Sequence, residues 1–315
     1  MSTTKVRFGI QTPIEGAPFD ALTRHWQLAE QLGYDTVWLD DHFYGVMTPP
    51  WDASLECWTL MAALARETSR IRFGTLVACN NYRHPPLVAK MAASLDHISA
   101  GRLEFGLGAG WYEQEYTAYG YDFPRIGTRL GQLDEALEIC KRMWTEEKTS
   151  FDGRHYRVRE AWCNPKPVQK PYPPIMIGGG GEKVLLRIVA RHADQWNFGG
   201  SVEEFGGKIR ALEGHCRDLG RNPSTIEKSW FGNLVIEPNE ERLGQRMAKR
   251  AARGGAAAEM DRRGIAGTPE QVIARIREYV ALGVTHFIAM FGRVDRTEAT
   301  ELFAREVIPA FRSTT

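Results

Sequence analysis

The chain alternates between short runs rich in β-branched and aromatic residues and longer amphipathic stretches with helical spacing. Eight of the short runs are predicted to be strands, at residues 6–10, 36–39, 71–78, 102–107, 174–177, 194–197, 226–236 and 284–290. Strands that alternate with helices build parallel sheets from βαβ units. Eight such units predict an α/β fold, a (βα)8 TIM barrel with insertions. An open doubly wound sheet is disfavoured, because no GxGxxG motif follows the first strand.

The stretches between the strands carry the start and stop signals of helices. Gly33 ends the first helix, Pro85 and Pro86 suit the first turn of the third, and Thr268 caps the helix that begins at Pro269. The predicted helices include about 20–32, 55–67, 130–144, 202–219, 240–253 and 297–311. A further helix is predicted to begin at the GGGGE sequence, 178–182, and to end near residue 191.

One segment, residues 149–172, interrupts this alternation. Its first half reads as a hairpin around Gly153, and a proline-rich connection follows. We interpret it as an insertion in a single domain that spans 1–315, because no low-complexity linker divides the chain.

Charge and cysteine content exclude several classes of protein. A formal net charge of +1 provides no basic field for nucleic acid. The five cysteines are widely spread and form no CxxC motif, which indicates reduced thiols, a cytoplasmic protein and no zinc site. No apolar stretch has the length of a signal peptide or of a membrane span.

The active site of such a barrel lies at the carboxyl ends of its strands. Asp41 and His42 follow the second strand, where histidine can exchange a proton and a carboxylate can orient it. The other interpretation is a solvated surface turn. Tyr44, Met47 and Trp51, in the loop that follows, are consistent with an apolar substrate or with packing of a lid.

The loop after the third strand contains Cys79, Arg83 and His84. Cys79 has no base beside it in sequence, so we expect it to line the site rather than act as a nucleophile. Arg83 and His84 are candidates for contact with a phosphate or a carboxylate, and a simple turn is equally open.

Glycine-rich loops follow the fourth and fifth strands. In GAGWYEQEY, at 108–116, small residues let a flat ligand approach the backbone, and Trp111 and Tyr112 offer a stacking wall. The acid at Glu115 is expected to face water. The GGGG sequence at 178–181, leading into a helix, is a candidate phosphate site, with Lys183 and Arg187 adding positive charge. Trp196, after the sixth strand, is a candidate for the site or for the core.

Four segments resemble the luciferase-like monooxygenase superfamily, and within it the F420-dependent oxidoreductase branch. They are LDDHF at 39–43, YRHPPLVAKMAASLDHISAGRLEFGLGAGWYEQEYTAYG at 82–120, PKPVQKPYPPIMIGGGGEKVLLRIVARHADQWN at 165–197, and AGTPEQV at 266–272. The resemblance covers nearly the whole chain and implies a bacterial-luciferase-like barrel with a cofactor lying across the strand ends.

The resemblance also implies which residues form the site. A non-prolyl cis peptide, behind the cofactor ring in the family, falls at Leu76–Val77, and Asp41 and His42 match the pair beside the deazaflavin. The other matching positions line the ring and its side chain or form the phosphate-binding turn: Cys79, Ala109, Gly110, Gln114, Gly180, Gly181, Lys183 and Val184. The glucose-6-phosphate branch has a tryptophan where this chain has Val46 and a glutamate where it has Trp111, so that substrate is not expected.

The function implied is hydride transfer between coenzyme F420 and a small organic substrate, with His42 as proton donor or acceptor. Three alternatives remain open. One is an FMN-dependent monooxygenase supplied by a separate reductase, and another is a flavin-binding protein without turnover. The third is a glycosidase using Glu104 and Glu113, although Glu104 falls in mid-strand, away from the expected mouth. The family resemblance also implies a homodimer.

Overall fold

A computed structural model describes residues 5–46, 48–251 and 263–312. Eight parallel strands form a closed barrel, which confirms the predicted fold class. In chain order the barrel strands are β1 (Arg7–Gln11), β2 (Thr36–Leu39), β3 (Arg72–Thr75) with its continuation β4 (Ala78–Cys79), β5 (Leu103–Gly108), β8 (Ile175–Gly178), β9 (Gln195–Phe198), β10 (Glu227–Ile236) and β12 (Val284–Met290).

The barrel closes through two parallel pairings of β10. Glu227 of β10 pairs with Gln195 of β9, and on its other side β10 pairs with β12 along most of its length. β12 in turn pairs with β1, so the sheet has no free edge within the barrel. All eight carboxyl ends therefore meet at one mouth, where the sequence places its candidate site.

The third strand is interrupted, which is a correction to the continuous strand expected at 71–78. β3 ends at Thr75, and β4 resumes at Ala78 after a cis peptide bond between Leu76 and Val77. That bond confirms the cis peptide that the family resemblance implied. Val77 bulges toward the neighbouring strands, where a Cβ at Gly108 would lie 2.7 Å from Val77 Cγ2. Glycine is required there because the bulge occupies the space of a side chain.

Ten α-helices occupy the described residues. They are α1 (Phe19–Gln31), α2 (Cys57–Glu67), α3 (Pro85–Ile98), α4 (Glu113–Ala118), α5 (Ile126–Thr145), α6 (Leu185–His192), α7 (Val202–Asp218), α8 (Glu240–Ala251), α9 (Pro269–Ala281) and α10 (Glu298–Glu306). Within this part of the chain, no helix has both the length and the apolar character needed to cross a membrane.

Three helix boundaries differ from expectation by three residues or more. α5 begins four residues earlier than predicted, and α6 begins at Leu185, after a turn, rather than directly from the glycines. The final helix ends at Glu306 and gives way to a 3-10 turn, Ile308–Phe311, because Pro309 has no N–H to continue the α-helical bonding. Residues 252 and 253, expected to end α8, lie outside the described residues.

The insertion contains the expected hairpin. β6 (Lys148–Asp152) and β7 (Arg157–Trp162) pair antiparallel, and Glu135 of α5 accepts the N–H groups of Arg154, His155 and Tyr156 at the turn. A strand that sequence patterning missed, β11 (Ile265–Gly267), adds to β10 outside the barrel. Thr268 caps α9 through a capping box with Gln271, as predicted.

Candidate active site

A cavity of about 480 Å³ opens at the mouth of the barrel, between the carboxyl ends of the strands. It is the size of a small-molecule site. Its wall combines the Leu76–Val77 bulge, the glycine loops after β5 and β8, and apolar side chains from the outer rim, including Trp111, Ile126 and Phe231.

Asp41 anchors the loop after β4 to the end of β2. Its carboxylate accepts two hydrogen bonds from the Arg83 guanidinium, at 2.7 and 3.0 Å, and one from the Cys79 N–H, at 2.9 Å. Glu56, which caps α2, also contacts Arg83 at 2.5 Å. Burial disfavours the charge on Arg83, but these two carboxylates outweigh it and raise its pKa. Arg83 therefore binds carboxylates of its own chain, whereas His84 is exposed.

His42 is hydrogen-bonded to the buried carboxylate of Glu115, so the expectation that Glu115 faces water is wrong. Glu115 is fully buried rather than facing water, and its Oε2 lies 2.8 Å from His42 Nδ1. The Tyr82 hydroxyl donates to the same oxygen at 2.6 Å, and the Phe43 N–H donates to Oε1 at 2.5 Å. Sequence reasoning missed Glu115 because its partners lie more than 30 residues away.

Electrostatics favour the charged forms of this pair. Burial alone would lower the pKa of His42, but the hydrogen bond to Glu115 and the nearby carboxylates raise it above its ordinary value. Burial likewise opposes the charge on Glu115, and its hydrogen bonds from His42, Tyr82 and Phe43 more than offset this and lower its pKa.

Asp40 is a second group that sequence reasoning did not assign to the site. It lines the cavity. Among the described residues, its buried Oδ1 has no hydrogen-bond partner, and its Oδ2 accepts from Gln11 alone, at 3.0 Å. Burial, followed by the charge of Glu15, raises the pKa of Asp40 to about 7. A ligand with a polar edge would satisfy this oxygen.

The floor of the cavity is built around Cys79 and Gly110. The Cys79 thiol lies 2.9 Å from the Tyr116 hydroxyl, and burial raises its pKa to about 11, which fits a lining role rather than a nucleophile. Gly110 has φ +71°, and a Cβ there would lie 2.0 Å from the Tyr116 oxygen and 2.8 Å from Cys79 Sγ. Only glycine leaves this floor intact.

The glycine turn after β8 presents unused donors to the cavity edge. Within the described part of the chain, the N–H groups of Gly180 and Gly181 make no hydrogen bond. Trp196 is core rather than site: it is fully buried and supports the turn by donating from Nε1 to the Gly179 carbonyl at 2.7 Å. Lys183 is exposed beside the turn, so cationic charge lies within reach of an anion held there.

The sequence-predicted residues fall into two groups. Those that line the cavity are Asp41, His42, Leu76, Val77, Cys79, Ala109, Gly110 and Gly181. Those that lie outside the lining are Gln114, Gly180, Lys183 and Val184. Gln114 is exposed and accepts from the Tyr112 hydroxyl, and Gly180 lies against the Phe198 ring. The donors and shape of the cavity fit a flat, phosphorylated redox cofactor.

Of the loop residues proposed for substrate contact, Tyr44 and Trp51 are not part of the cavity lining. Trp51 is 82% exposed, and Tyr44 stacks on Tyr119 at 6.3 Å between ring centroids. Met47 lies outside the described residues. Trp111 and Tyr112 do line the cavity, and both meet the His42 ring edge-on, at 5.8 and 6.0 Å.

Two further hypotheses are addressed by the geometry. Glu104 lies near the amino end of β5, paired with Arg7 and Arg72 at the base of the barrel, so it cannot act with Glu113 at the mouth as a glycosidase pair. Among the residues with described positions, no group of three or more histidine, cysteine, aspartate or glutamate side chains is placed to hold a metal ion.

Comparisons with known proteins agree with this architecture. An uncharacterised protein of Mycobacterium tuberculosis is 34% identical over 185 residues, which cover 54% of this chain and 64% of that protein. The chain thus matches less than two thirds of that relative's length. The F420-dependent glucose-6-phosphate dehydrogenase of Microbacterium testaceum is 27% identical over 98% of both chains.

An F420-dependent secondary alcohol dehydrogenase of known structure superimposes with a TM-score of 0.84 at 21% identity, covering 98% of this chain and 100% of that one, which shows the shared fold. The family model described as luciferase-like monooxygenase matches residues 2–262. The chain therefore belongs to the luciferase-like monooxygenase family.

Proposed function

We propose that this chain is an oxidoreductase that uses coenzyme F420, with a small uncharged organic molecule as substrate. When bound, the reduced deazaflavin supplies a hydride from its ring C5 to an unsaturated substrate carbon and is itself oxidised. His42 donates the matching proton to the substrate heteroatom, and it accepts that proton when the reaction runs in reverse. Asp41 fixes the loop that carries Cys79 and so keeps the ring pocket in shape.

The observation that supports this proposal most directly is the position of His42. Its ring is hydrogen-bonded to Glu115 and lines the cavity at the barrel mouth. The Leu76–Val77 bulge provides one wall for a flat ring, with Cys79, Ala109 and Gly110 around it. The N–H groups of Gly180 and Gly181 make no hydrogen bond to any described residue and, with Lys183 and Val184 at the outer rim, suit the phosphate. We also propose that Gln114 contacts the side chain of the bound cofactor.

The relatives support the choice of cofactor. The relative from Microbacterium testaceum that aligns over nearly the whole chain is named as F420-dependent, as is a hydroxymycolic acid dehydrogenase of Mycobacterium tuberculosis that is 32% identical over 66% of this chain and 57% of its own.

The substrate class follows from the charges around the cavity. No lysine or arginine of the described segments lines it. Behind the wall, Arg83 is paired with Asp41 and Glu56, and Arg129 donates to the backbone carbonyls of Ala109 and Pro124. Trp111, Ile126 and Phe231 instead offer apolar surface. A carboxylated or phosphorylated substrate would find no lysine or arginine to pair with there, whereas an alcohol or ketone needs only the hydrogen bond that His42 can offer.

The test is a titration of the purified protein with coenzyme F420 and with FMN, each oxidised and reduced, followed by fluorescence. We expect F420 to bind more tightly, and Lys183→Ala to weaken its binding about tenfold, because one charge-assisted contact to the anionic tail is lost. Lys5→Ala, an exposed lysine at the base of the barrel, serves as the control and should bind normally. Tight binding of reduced FMN without binding of F420 would refute the proposal.

A second candidate is an FMN-dependent two-component monooxygenase. The FMNH2-dependent dimethylsulfone monooxygenase of Pseudomonas putida is 25% identical over 91% of this chain and 86% of its own length, which favours keeping this candidate. Such an enzyme consumes oxygen when supplied with reduced flavin, whereas a deazaflavin enzyme does not. Formation of an oxygenated product from reduced FMN and oxygen therefore separates the two, because free reduced FMN consumes oxygen without an enzyme. A flavin-binding protein without turnover would form no product with either cofactor.

We further propose that residues 1–315 act as one domain in a cytoplasmic homodimer, with a separate reductase renewing the reduced cofactor. Five free cysteines support a reducing compartment. Leu87 and Ile98, 53% and 41% exposed on α3, provide apolar surface for a second copy. Light scattering of the purified protein tests the dimer.

A further inference from the structure

We propose that Glu115, supported by Tyr82, is the positioning group that fixes the proton of the His42 ring on Nδ1 and leaves Nε2 as the atom that exchanges a proton with substrate. The part of this inference that concerns proton exchange with substrate rests on the proposed function. Its structural content, the orientation and charge of one imidazole, holds whichever cofactor is bound.

The hydrogen-bond geometry determines which nitrogen carries the proton. Glu115 Oε2 already accepts the Tyr82 hydroxyl at 2.6 Å, and Oε1 accepts the Phe43 N–H at 2.5 Å. An ionised carboxylate only accepts, so the 2.8 Å contact with His42 requires a proton on Nδ1. In the described part of the chain, His42 Nε2 has no hydrogen-bond partner, and His42 lines the cavity.

The position of Glu115 is held from several sides. It lies in α4, a six-residue helix, and is fully buried, while its neighbours Glu113 and Gln114 are exposed. The Tyr82 ring packs against Tyr116 and Phe43, at 4.9 and 4.6 Å between centroids, so the hydroxyl that orients the carboxylate is itself fixed. A surface acid would not need this support.

Other ionisable groups also act on the His42 ring and must be considered in its titration. Asp40 and Asp41 precede it in its own segment, and Tyr82 and Arg83 lie in the turn after β4. Tyr112 and Glu115 lie at the start of α4. Asp41 is paired with Arg83 and has a pKa that burial raises, and Asp40 has a pKa raised to about 7. Glu115 is therefore the ionised carboxylate in direct contact with the ring.

The test is nitrogen NMR of the histidine ring in the cofactor-free protein, comparing wild type with Glu115→Gln and with Glu113→Gln. We expect Glu115→Gln to lower the pKa of His42 by about one unit or more, because an opposite charge within hydrogen-bonding distance is lost. Glu113→Gln, two residues away in the same helix and exposed, should leave the titration of His42 unchanged. Equal titration in all three proteins would overturn the proposal.

The wild-type protein gives a second, independent readout. Above its pKa the neutral His42 ring should be the Nδ1–H tautomer, whose nitrogen shifts differ from those of the commoner Nε2–H form. An Nε2–H tautomer would overturn the proposal even if Glu115→Gln fails to fold. Both measurements need no cofactor, so their failure is distinct from failure of the F420 titration. In turnover assays, Glu115→Gln should then shift the pH profile of kcat with little change in KM.

Discussion

At the level of single residues, Asp40 is a carboxyl group at the mouth whose ionisation the fold opposes, and burial also raises the pKa of its neighbour Asp41. In the unfolded chain Asp40 ionises near 3.8, and in the folded protein near 7. Between these values the folded state binds more protons, so the free energy of unfolding falls as pH rises. The folded protein tolerates this at the mouth, where a bound ligand can pair with the free oxygen.

Replacing Asp40 with asparagine removes the free-energy cost of ionising a buried carboxyl group while keeping the shape of the side chain. We expect Asp40→Asn to match the wild-type Tm near pH 4, to exceed it increasingly up to about pH 7, and to lead by at least about 2 °C at pH 8. Thermal unfolding across this pH range is the measurement. A variant that is less stable than wild type at pH 8 would contradict the raised pKa of Asp40.

The adjacent Asp41 provides a matched control, because burial raises its pKa too but its carboxylate is paired with a guanidinium. Its carboxylate holds Arg83 in two hydrogen bonds, and both side chains are nearly buried. Asp41→Asn leaves Arg83 with Glu56 alone and should cost about 3 kcal/mol of stability, the usual effect of breaking a buried pair.

At the level of elements, the floor of the cavity depends on the tight turn between β5 and α4. Gly110 and Gly120 both have positive φ, +71° and +74°, so alanine is strained at either position. The two differ in their surroundings: a Cβ at Gly110 would meet Tyr116 and Cys79, whereas nothing lies within 4 Å of one at Gly120.

Alanine substitution separates backbone strain from the shape of the site. We expect Gly120→Ala to cost about 1 kcal/mol and to bind cofactor normally, and Gly110→Ala to cost about 3 kcal/mol and to lose most cofactor affinity, because the floor must shift. Urea unfolding and cofactor titration measure the two effects. If the two variants lose equal stability and both bind cofactor, the floor is not the constraint that we describe.

Elements with strong periodicity were predictable, and those set by distant contacts were not. The strands at 36–39 and 284–290 match their predicted bounds, because their apolar runs are clear and bounded by turn residues. The break at Leu76–Val77 has no periodic signal in the sequence, and only the family resemblance indicated it. The burial of Glu115 depends on His42, 73 residues away, and its six-residue helix is too short to show a buried face.

At the level of the whole molecule, the barrel separates its chemistry from a charged cluster that supports its base. Glu104 is fully buried and binds Arg7, Arg72 and Gln195, residues from β1, β3 and β9, so one carboxylate joins four strands. The paired charges at that end contribute to stability, while the mouth carries Asp41 and His42. The two ends should therefore respond independently to mutation.

Glu104→Gln tests that independence. Burial opposes the charge on Glu104, but Arg7, His286 and Arg72 outweigh it and lower its pKa from 4.5 to about 2. Its contribution to stability is thus complete above about pH 4.5 and is lost as the pH falls toward 2. We expect Glu104→Gln to lose about 3 kcal/mol at pH 7, with the difference from wild type shrinking steadily below pH 4.5, as measured by urea unfolding.

The matched control for that substitution is Glu227→Gln, which removes the other carboxylate bound to Arg7. Burial raises the pKa of Glu227, so its charge is opposed rather than favoured, and its replacement should cost much less than that of Glu104. Both variants should bind cofactor with wild-type affinity at a temperature where they remain folded, because neither residue lines the mouth. A loss of cofactor affinity in Glu104→Gln that is as large as its loss of stability would mean that the base and the mouth are coupled through the strands.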